Sequence, residues 1–102
     1  MTKREQELEN VYVIDALKDF HSDWDRENMK YIGRLRHCAA TVFEMDRWYI
    51  LRSYDTTVAL IDKSTGELFD FLRYVYGFTA TSAQHIAKFA SDYNAVKKYT
   101  YK

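Results

Sequence analysis

The stretch from residue 52 to residue 93 constrains the fold most, because a β-hairpin pattern leads through a tyrosine-rich junction into an amphipathic helix. It reads RSYDTTVALIDKSTGELFDFLRYVYGFTATSAQHIAKFASDY. β-Branched and apolar runs flank DKSTG, and Gly66 can supply the positive φ of a hairpin turn. Thr79 or Thr81 can cap the helix that follows, whose apolar residues recur at helical spacing. A hairpin followed by a packed helix predicts an α+β domain.

The N-terminal third has the pattern of two helices. Thr2 followed by Glu5 fits a capping box, and the apolar residues after it predict a first helix over residues 3–20. Ser22 or Asp23 can cap a second helix. The apolar stripe of that second helix steps by about three residues: Met29, Ile32, Leu35 and Cys38 or Ala39.

From residue 41 the hydrophobic period changes to that of strands. Residues 41–72 predict three or four antiparallel strands, and residues 73–78 either extend the last strand or form a separate turn. The tail, residues 97–102, is expected to be frayed or to act as a contact arm. The sequence therefore predicts one α+β domain over residues 1–102. It comprises two N-terminal helices, a three- or four-stranded antiparallel sheet and a C-terminal helix packed on the sheet.

Charge and cysteine content exclude several classes of protein. The 102 residues hold 15 basic and 15 acidic side chains. Residues 1–27 and 55–70 are net acidic, and residues 28–54 and 71–102 are net basic. Such a balance argues against binding to naked duplex DNA, which needs a large basic surface. Cys38 is the single cysteine, and no signal peptide or apolar membrane span is visible, so we expect a soluble cytoplasmic protein.

Reactive side chains do not form a recognisable catalytic or metal pattern. A metal site could be drawn from His21, Asp23, Asp25 and Glu27, but an acid-rich, solvated helix start explains them better. His37 and Cys38 are adjacent, so on a helix they point in different directions and make a poor base and nucleophile. We therefore expect no enzyme, no metal and no cofactor.

Aromatic and basic side chains point instead to binding. Aromatic residues make up 17% of the chain, too many for one small core, so some should be exposed. Tyr54, Tyr74 and Tyr76 could stack on nucleotide bases or pack across a sheet. Whether the arginines converge on one face is left open by the sequence: Arg34, Arg36, Arg47, Arg52 and Arg73.

One polar cluster lies on the last helix, where Gln84, His85 and Lys88 are predicted to share an exposed face. Together with the hairpin and the junction, it defines the predicted partner-binding residues: Arg52, Tyr54, Arg73, Tyr74, Tyr76, Gln84, His85 and Lys88. The surplus of rings also predicts a homodimer that uses Trp48, Tyr54 or Tyr76.

Part of the chain resembles a known group of proteins. The resemblance covers about residues 48–93 and is carried by Leu51 to Tyr54, Val58-Ala59, Ile61-Asp62, Gly66, Leu68 and above all YGFTATSAQHIAKF at residues 76–89. These residues resemble a family of short proteins from phages and mobile elements of gut bacteria. The family brings no catalytic residues, and the N-terminal helices lie outside the likeness. The resemblance implies a genomic setting in which small proteins bind host or phage proteins.

The implied function is a stoichiometric binding protein acting on a host or rival protein. The most concrete expectation is an anti-CRISPR inhibitor, with a CRISPR nuclease or its ribonucleoprotein complex as the partner. The alternative is a nucleic-acid-binding accessory protein that uses the basic and tyrosine residues.

Overall fold

The chain folds into three helices and six strands within the part that the structure describes. The computed structural model describes residues 1–35, 39–77 and 79–102. In chain order the elements are α1 (Lys3–Trp24), β1 (Lys30–Arg34), β2 (Ala40–Glu44), β3 (Trp48–Ser53), β4 (Thr56–Asp62), β5 (Glu67–Asp70), α2 (Leu72–Val75), α3 (Ala80–Asp92) and β6 (Lys97–Thr100).

The strands form one sheet in the order β1-β2-β3-β4-β5-β6. From β1 to β5 each strand is antiparallel to the next, whereas β6 is parallel to β5. Because α3 carries the chain back along the sheet, β6 enters in the same direction as β5. The α+β class and the C-terminal helix packed on the sheet are confirmed. The predicted antiparallel pairing holds from β1 to β5, whereas the parallel pairing of β6 with β5 departs from it. The predicted count of three or four strands is wrong, since six are present among the described residues.

α1 packs against one face of the sheet, mainly over β5 and β6, and α3 packs against the other. Ile50 and Leu51 are neighbours in β3 but belong to different clusters, because successive strand side chains point to opposite faces. The cluster on the α1 face includes Val13, Leu17, Phe20, Trp48, Ile50, Leu60 and Phe69. The cluster on the α3 face includes Val42, Leu51, Ile61, Leu68, Ile86 and Phe89.

The predicted second N-terminal helix is wrong. The first helix, predicted to end at residue 20, continues to Trp24, and Ser22 and Asp23 lie inside it instead of capping a new helix. The chain then becomes extended, and β1 pairs with β2. Aromatic and β-branched residues in this segment suit a paired strand, and Gly33 disfavours a helix. The predicted end of that helix falls in residues 36–38, which include His37 and Cys38. These three residues lie outside the described part of the chain.

The expectation of a frayed tail or contact arm is also wrong. Residues 97–100 form β6 at the edge of the sheet, and the N–H of Tyr101 donates to the carbonyl of Asp70 at 2.8 Å. The amide Nε2 of Gln6 in α1 donates to the carbonyl of Thr100 at 3.0 Å. The junction at residues 73–78, left open by the sequence, begins with the short helix α2, and residue 78 lies outside the described residues.

Local signals at turns and helix starts are confirmed. The Thr2 hydroxyl accepts from the N–H of Glu5 at 3.1 Å, and the Glu5 carboxylate accepts from the N–H of Thr2 at 3.2 Å, which completes the capping box. Of the two candidate caps of the last helix, Thr79 fills the position and accepts from the N–H of Ser82 at 3.1 Å. Gly66 has φ +76°, as the hairpin turn requires.

Candidate functional site

The turn between β3 and β4 and the short helix α2 meet at one end of the sheet. Since β3, β4 and β5 are antiparallel neighbours, the end of β3, the start of β4 and the end of β5 lie side by side. The N–H of Phe71, just before α2, donates to the carbonyl of Val58 at 3.0 Å. This strand arrangement places at the same end of the sheet a set that we name the tyrosine end: Arg52, Tyr54, Arg73, Tyr74 and Tyr76.

The three tyrosines of this end are largely open to solvent. The exposed fractions are 54% for Tyr54, 52% for Tyr74 and 57% for Tyr76. The ring of Tyr74 packs edge-on against that of Tyr101, with the ring centres 5.1 Å apart. Exposed tyrosines held on a folded framework offer apolar area and a hydroxyl at little cost in conformational entropy. They are therefore suited to contact with a partner.

Tyr54 is held in a backbone conformation that tyrosine rarely adopts. Ser53 pairs with Thr56, so Tyr54 and Asp55 form a two-residue turn. Tyr54 has φ +56°, in the left-handed region that favours glycine or asparagine and costs other residues about 1–2 kcal/mol. The N–H of Tyr54 donates to the carbonyl of Ala39 at 2.6 Å, which helps to fix the turn. A tyrosine at this position lowers stability, and such strain often accompanies a functional role.

The two arginines of the tyrosine end are held differently. Nη2 of Arg52 donates to the carbonyl of Asp55 at 2.8 Å, and the guanidinium lies 5.7 Å from the ring centre of Phe43. Arg73 is exposed on α2 and close enough to the carboxyl of Asp70 to stabilise its charge. Burial nevertheless raises the pKa of Asp70 above its usual value, although the Leu72 N–H, Lys98 and Arg73 act in the opposite direction.

The predicted contact residues on α3 separate into two groups. Gln84 and Lys88 are exposed as predicted. Gln84 lies in the second turn of α3, near the tyrosine end. Lys88 lies one turn further away, and its Nζ is 2.9 Å from Oδ1 of Asp92. The geometry therefore associates Gln84 with the tyrosine end more closely than Lys88.

His85 does not lie on this exposed face, so the predicted surface position of His85 is wrong. It is 1% exposed, and its Nδ1 lies 2.9 Å from Oγ of Ser53 in β3. Oγ of Ser53 also lies 2.9 Å from Oγ of Ser82. The buried face of α3 consists of Ser82, His85, Ile86 and Phe89, which is the i, i+3, i+4, i+7 spacing of a core-facing stripe. The sequence reading missed Ser53 and Ser82 because no local signal shows that β3 provides a partner.

The buried cluster of Ser53, Ser82 and His85 contains the residue types of a nucleophile and its base. A catalytic serine must reach a substrate, yet Ser53 and Ser82 are each only 2% exposed. The cluster therefore serves to join α3 to the sheet by hydrogen bonds in this conformation. Among the described residues, no group of three or more His, Cys, Asp or Glu side chains could hold a metal ion.

Arg47 lies at the opposite end of β3 from Arg52, so the arginines do not all converge. Its Nε is 3.1 Å from Oδ2 of Asp62, and its guanidinium lies 4.2 Å from the ring centre of Trp48. Burial of the Asp62 carboxyl raises its pKa. Hydrogen bonds donated by Ser64 and the charge of Arg47 outweigh this effect, so the pKa of Asp62 lies below its usual value. Arg34 and Arg52 do lie in register on one sheet face, while Arg36 lies outside the described residues.

Trp48 is not available for a contact between two copies, so this part of the dimer prediction is wrong. Its side chain is fully buried, and its indole Nε1 donates to Oδ2 of Asp23 at 2.9 Å. Asp23, once considered as a metal ligand, is therefore occupied as a hydrogen-bond acceptor. Tyr54 and Tyr76 are exposed, and their part in a dimer stays a prediction.

Comparisons with protein-family models, curated proteins and solved structures found no match to this chain. None of the described helices combines the length and apolar character needed to cross a membrane.

Proposed function

We propose that this chain is a binding protein that acts stoichiometrically on another macromolecule through the tyrosine end. The observation that carries the proposal is the grouping of three tyrosines, each more than half exposed, with Arg52 and Arg73 at one end of a continuous sheet. Tyrosine and arginine are the residue types most often found, with tryptophan, as hot spots of protein interfaces. Gln84 extends this surface onto α3.

The chemistry of the tyrosine end favours a protein partner with acidic groups near apolar area. Arg52 and Arg73 can pair with carboxylates, while the rings of Tyr74 and Tyr76 can cover apolar side chains. The strain at Tyr54 supports the same interpretation, because a glycine would form this turn at lower cost.

The proposed target is a protein or ribonucleoprotein of the host or of a rival element, most concretely a CRISPR nuclease complex in the cytoplasm. The support for this target is the likeness of residues 76–89 to short phage and mobile-element proteins. The exposed residues of the tyrosine end support binding to a partner in general. The likeness to phage and mobile-element proteins supports a partner from the host or from a rival element.

Inhibition of DNA cleavage by purified CRISPR nuclease–guide complexes tests the proposal directly. We expect cleavage to fall to its minimum near one inhibitor per complex. Tyr76→Ala and Arg73→Ala should each weaken binding to the complex roughly 30-fold or more, as expected when a hot spot of about 2 kcal/mol is lost. Their melting temperatures should change little, because both side chains are exposed.

A matched control lies at the opposite end of the sheet. Arg26→Ala changes an exposed arginine just after α1, next to Asp23, whose carboxylate accepts from Trp48 at the start of β3. This variant should bind like the wild type. Full activity of Tyr76→Ala and Arg73→Ala, or loss of activity only through unfolding, would show that another surface is used. The alternative function, nucleic-acid binding by the same residues, is favoured if bare duplex DNA binds tightly and salt abolishes that binding.

A further inference from the structure

On the α1 face of the sheet, the strands farthest from α1 are not covered by any of the described helices. α1 packs mainly over β5 and β6 and reaches Trp48 and Ile50 in β3. Beyond these residues the same face continues across β1, β2 and the far end of β3. We name this region the open sheet face, and it consists of Tyr31, Arg34, Thr41, Phe43, Arg52 and Thr57.

Strand register places these side chains in two adjacent rows. Residues paired across neighbouring strands share a face, and the first row continues from Tyr31 through Phe43 to the buried Ile50. The second row runs across four strands: Arg34, Thr41, Arg52 and Thr57. A bulge between Tyr31 and Gly33 and another between Leu51 and Arg52 keep the rows aligned. The open sheet face therefore sets an aromatic row beside a basic row.

The aromatic row offers a ring that a ligand can reach. Tyr31 is 54% exposed, and its ring packs edge-on against Phe43 with the ring centres 5.7 Å apart. The Arg52 guanidinium lies 5.7 Å from the centre of the Phe43 ring, on the side of the second row. Phe43 thus packs against both Tyr31 and Arg52, and Tyr31 is the ring on which a ligand could stack.

The charges of the open sheet face are of one sign. Its two charged residues are Arg34 and Arg52, and its other four residues are aromatic or threonine. Glu44 in β2 pairs in register with Tyr49, which packs in the cluster on the α3 face, so its carboxylate lies on the other side of the sheet. Two like charges with no acid among these six residues suit an anionic ligand.

We propose that the open sheet face binds single-stranded nucleic acid. Tyr31 would stack on one base, while Arg34 and Arg52 would contact the phosphates on either side, the combination by which flat sheets bind unpaired strands. A duplex does not fit, because its bases are already stacked and cannot reach a ring on a sheet surface. The inference goes beyond the proposed function, since a ribonucleoprotein target would offer protein to the tyrosine end and an unpaired strand to this face.

Fluorescence anisotropy with labelled 12-nucleotide oligo(dT) and oligo(U) tests the inference. We expect both to bind, and a duplex of the same length to bind much more weakly. Tyr31→Thr, which keeps a strand-forming residue, should weaken binding about fivefold or more, and Tyr31→Phe should restore it. Two phosphate contacts predict that log K falls with log salt at a slope of about −1.4, and Arg34→Gln should reduce that slope by about 0.7.

Controls separate this proposal from the proposed function. Arg26→Gln removes an exposed arginine elsewhere and should leave oligonucleotide binding unchanged. Arg52 belongs both to the open sheet face and to the tyrosine end, so its substitution would affect both surfaces. If Tyr76→Ala loses the protein partner but keeps oligonucleotide binding, the two surfaces act independently.

Three results would overturn the inference. The first is no binding of either oligonucleotide by the wild-type chain at low salt. The second is binding that Tyr31→Thr leaves unchanged while the variant remains folded by circular dichroism. The third is equal affinity for a poly-glutamate peptide, because such a peptide could pair with Arg34 and Arg52 but has no base to stack on Tyr31.

Discussion

Nδ1 of His85 in α3 lies 2.9 Å from Oγ of Ser53 at the end of β3, and both side chains are almost fully buried. The pair joins the C-terminal helix to the sheet beside the exposed Gln84, which directly precedes His85 in α3. Because Tyr54 follows Ser53 directly, the same hydrogen bond also helps to hold the turn that presents the Tyr54 ring. The centres of the Tyr54 and His85 rings are 6.3 Å apart.

His85→Ala is expected to destabilise the fold strongly. The substitution leaves a cavity and removes one of the two hydrogen-bond partners of the Ser53 hydroxyl, the other being Ser82. Together these losses should lower the free energy of unfolding by about 2–4 kcal/mol. Gln84→Ala, the exposed neighbour on the same helix, should change it by less than about 0.5 kcal/mol. Urea unfolding followed by circular dichroism measures both. Equal stabilities of the two variants would contradict the buried position of His85.

Gly66→Ala should destabilise the hairpin between β4 and β5. Gly66 has φ +76°, and a Cβ built on it would lie 2.9 Å from Cγ2 of Val96. Strain and close contact together should cost about 1–2 kcal/mol. Gly33→Ala is the matched control, since nothing lies within 4 Å of its Cβ position, and it should be close to neutral. Thermal unfolding of both variants tests this, and a Gly66→Ala chain as stable as the wild type would disprove it.

Tyr54→Asn is expected to stabilise the chain while weakening partner binding. Asparagine tolerates the left-handed region, so relief of backbone strain at φ +56° should raise the free energy of unfolding by about 0.5–1 kcal/mol. Loss of an exposed ring from the tyrosine end should lower affinity for the target. Thermal unfolding and binding measured on the same preparation give both results. A variant that is less stable, or that binds as well as the wild type, contradicts the role given to Tyr54.

Asp62 and Asp70 should affect stability with opposite dependence on pH. The pKa of Asp62 is lowered from its usual 3.8 in the folded chain, so its ionised form adds stability above that pH and loses it as the pH falls through the folded pKa. Asp62→Asn should therefore cost about 1 kcal/mol at neutral pH, and the difference from the wild type should vanish in acid.

The pKa of Asp70 is raised from 3.8 by burial, so folding becomes less favourable as the pH rises from 3.8 through the folded value. Asp70→Asn keeps an oxygen that can accept from the Leu72 N–H, and its stability relative to the wild type should increase with pH over that window. Urea unfolding between pH 3 and pH 7 measures both variants. Parallel pH profiles for the two would contradict these assignments.

We expect the chain to self-associate through the tyrosine end. Tyr54 and Tyr76 are exposed at the same end of the sheet, so a symmetric dimer could bury both. Light scattering at tens of micromolar, on the order of ordinary dimer affinities, should report a dimer for the wild type and a monomer for Tyr54→Ser with Tyr76→Ser. A wild-type monomer at this concentration removes the prediction.

The hairpin and the edge strands show which parts of the fold can be predicted from sequence. The turn before Gly66 was predicted correctly because its interactions are local, and Oδ1 of Asp62 accepts from the N–H of Ser64 only two residues away, at 2.9 Å. The segment around β1 has apolar residues at three-residue steps, Met29, Ile32 and Leu35, and this spacing wrongly predicts a helix. In β1, the pairing of Tyr31 with Phe43 joins residues far apart in the chain, and that pairing outweighs the local pattern.

In the candidate site, too, some features can be predicted from the sequence and others cannot. The sequence determined that some aromatic rings would be exposed, because 17% of the chain is aromatic and one small core cannot bury that many rings. Only the tertiary structure decided that His85 is internal, that Arg47 lies apart from Arg52, and that β1 leaves an aromatic and basic face uncovered. Each of these three features depends on a side chain or strand from another part of the chain. The local sequence does not specify which parts of the chain will pack together.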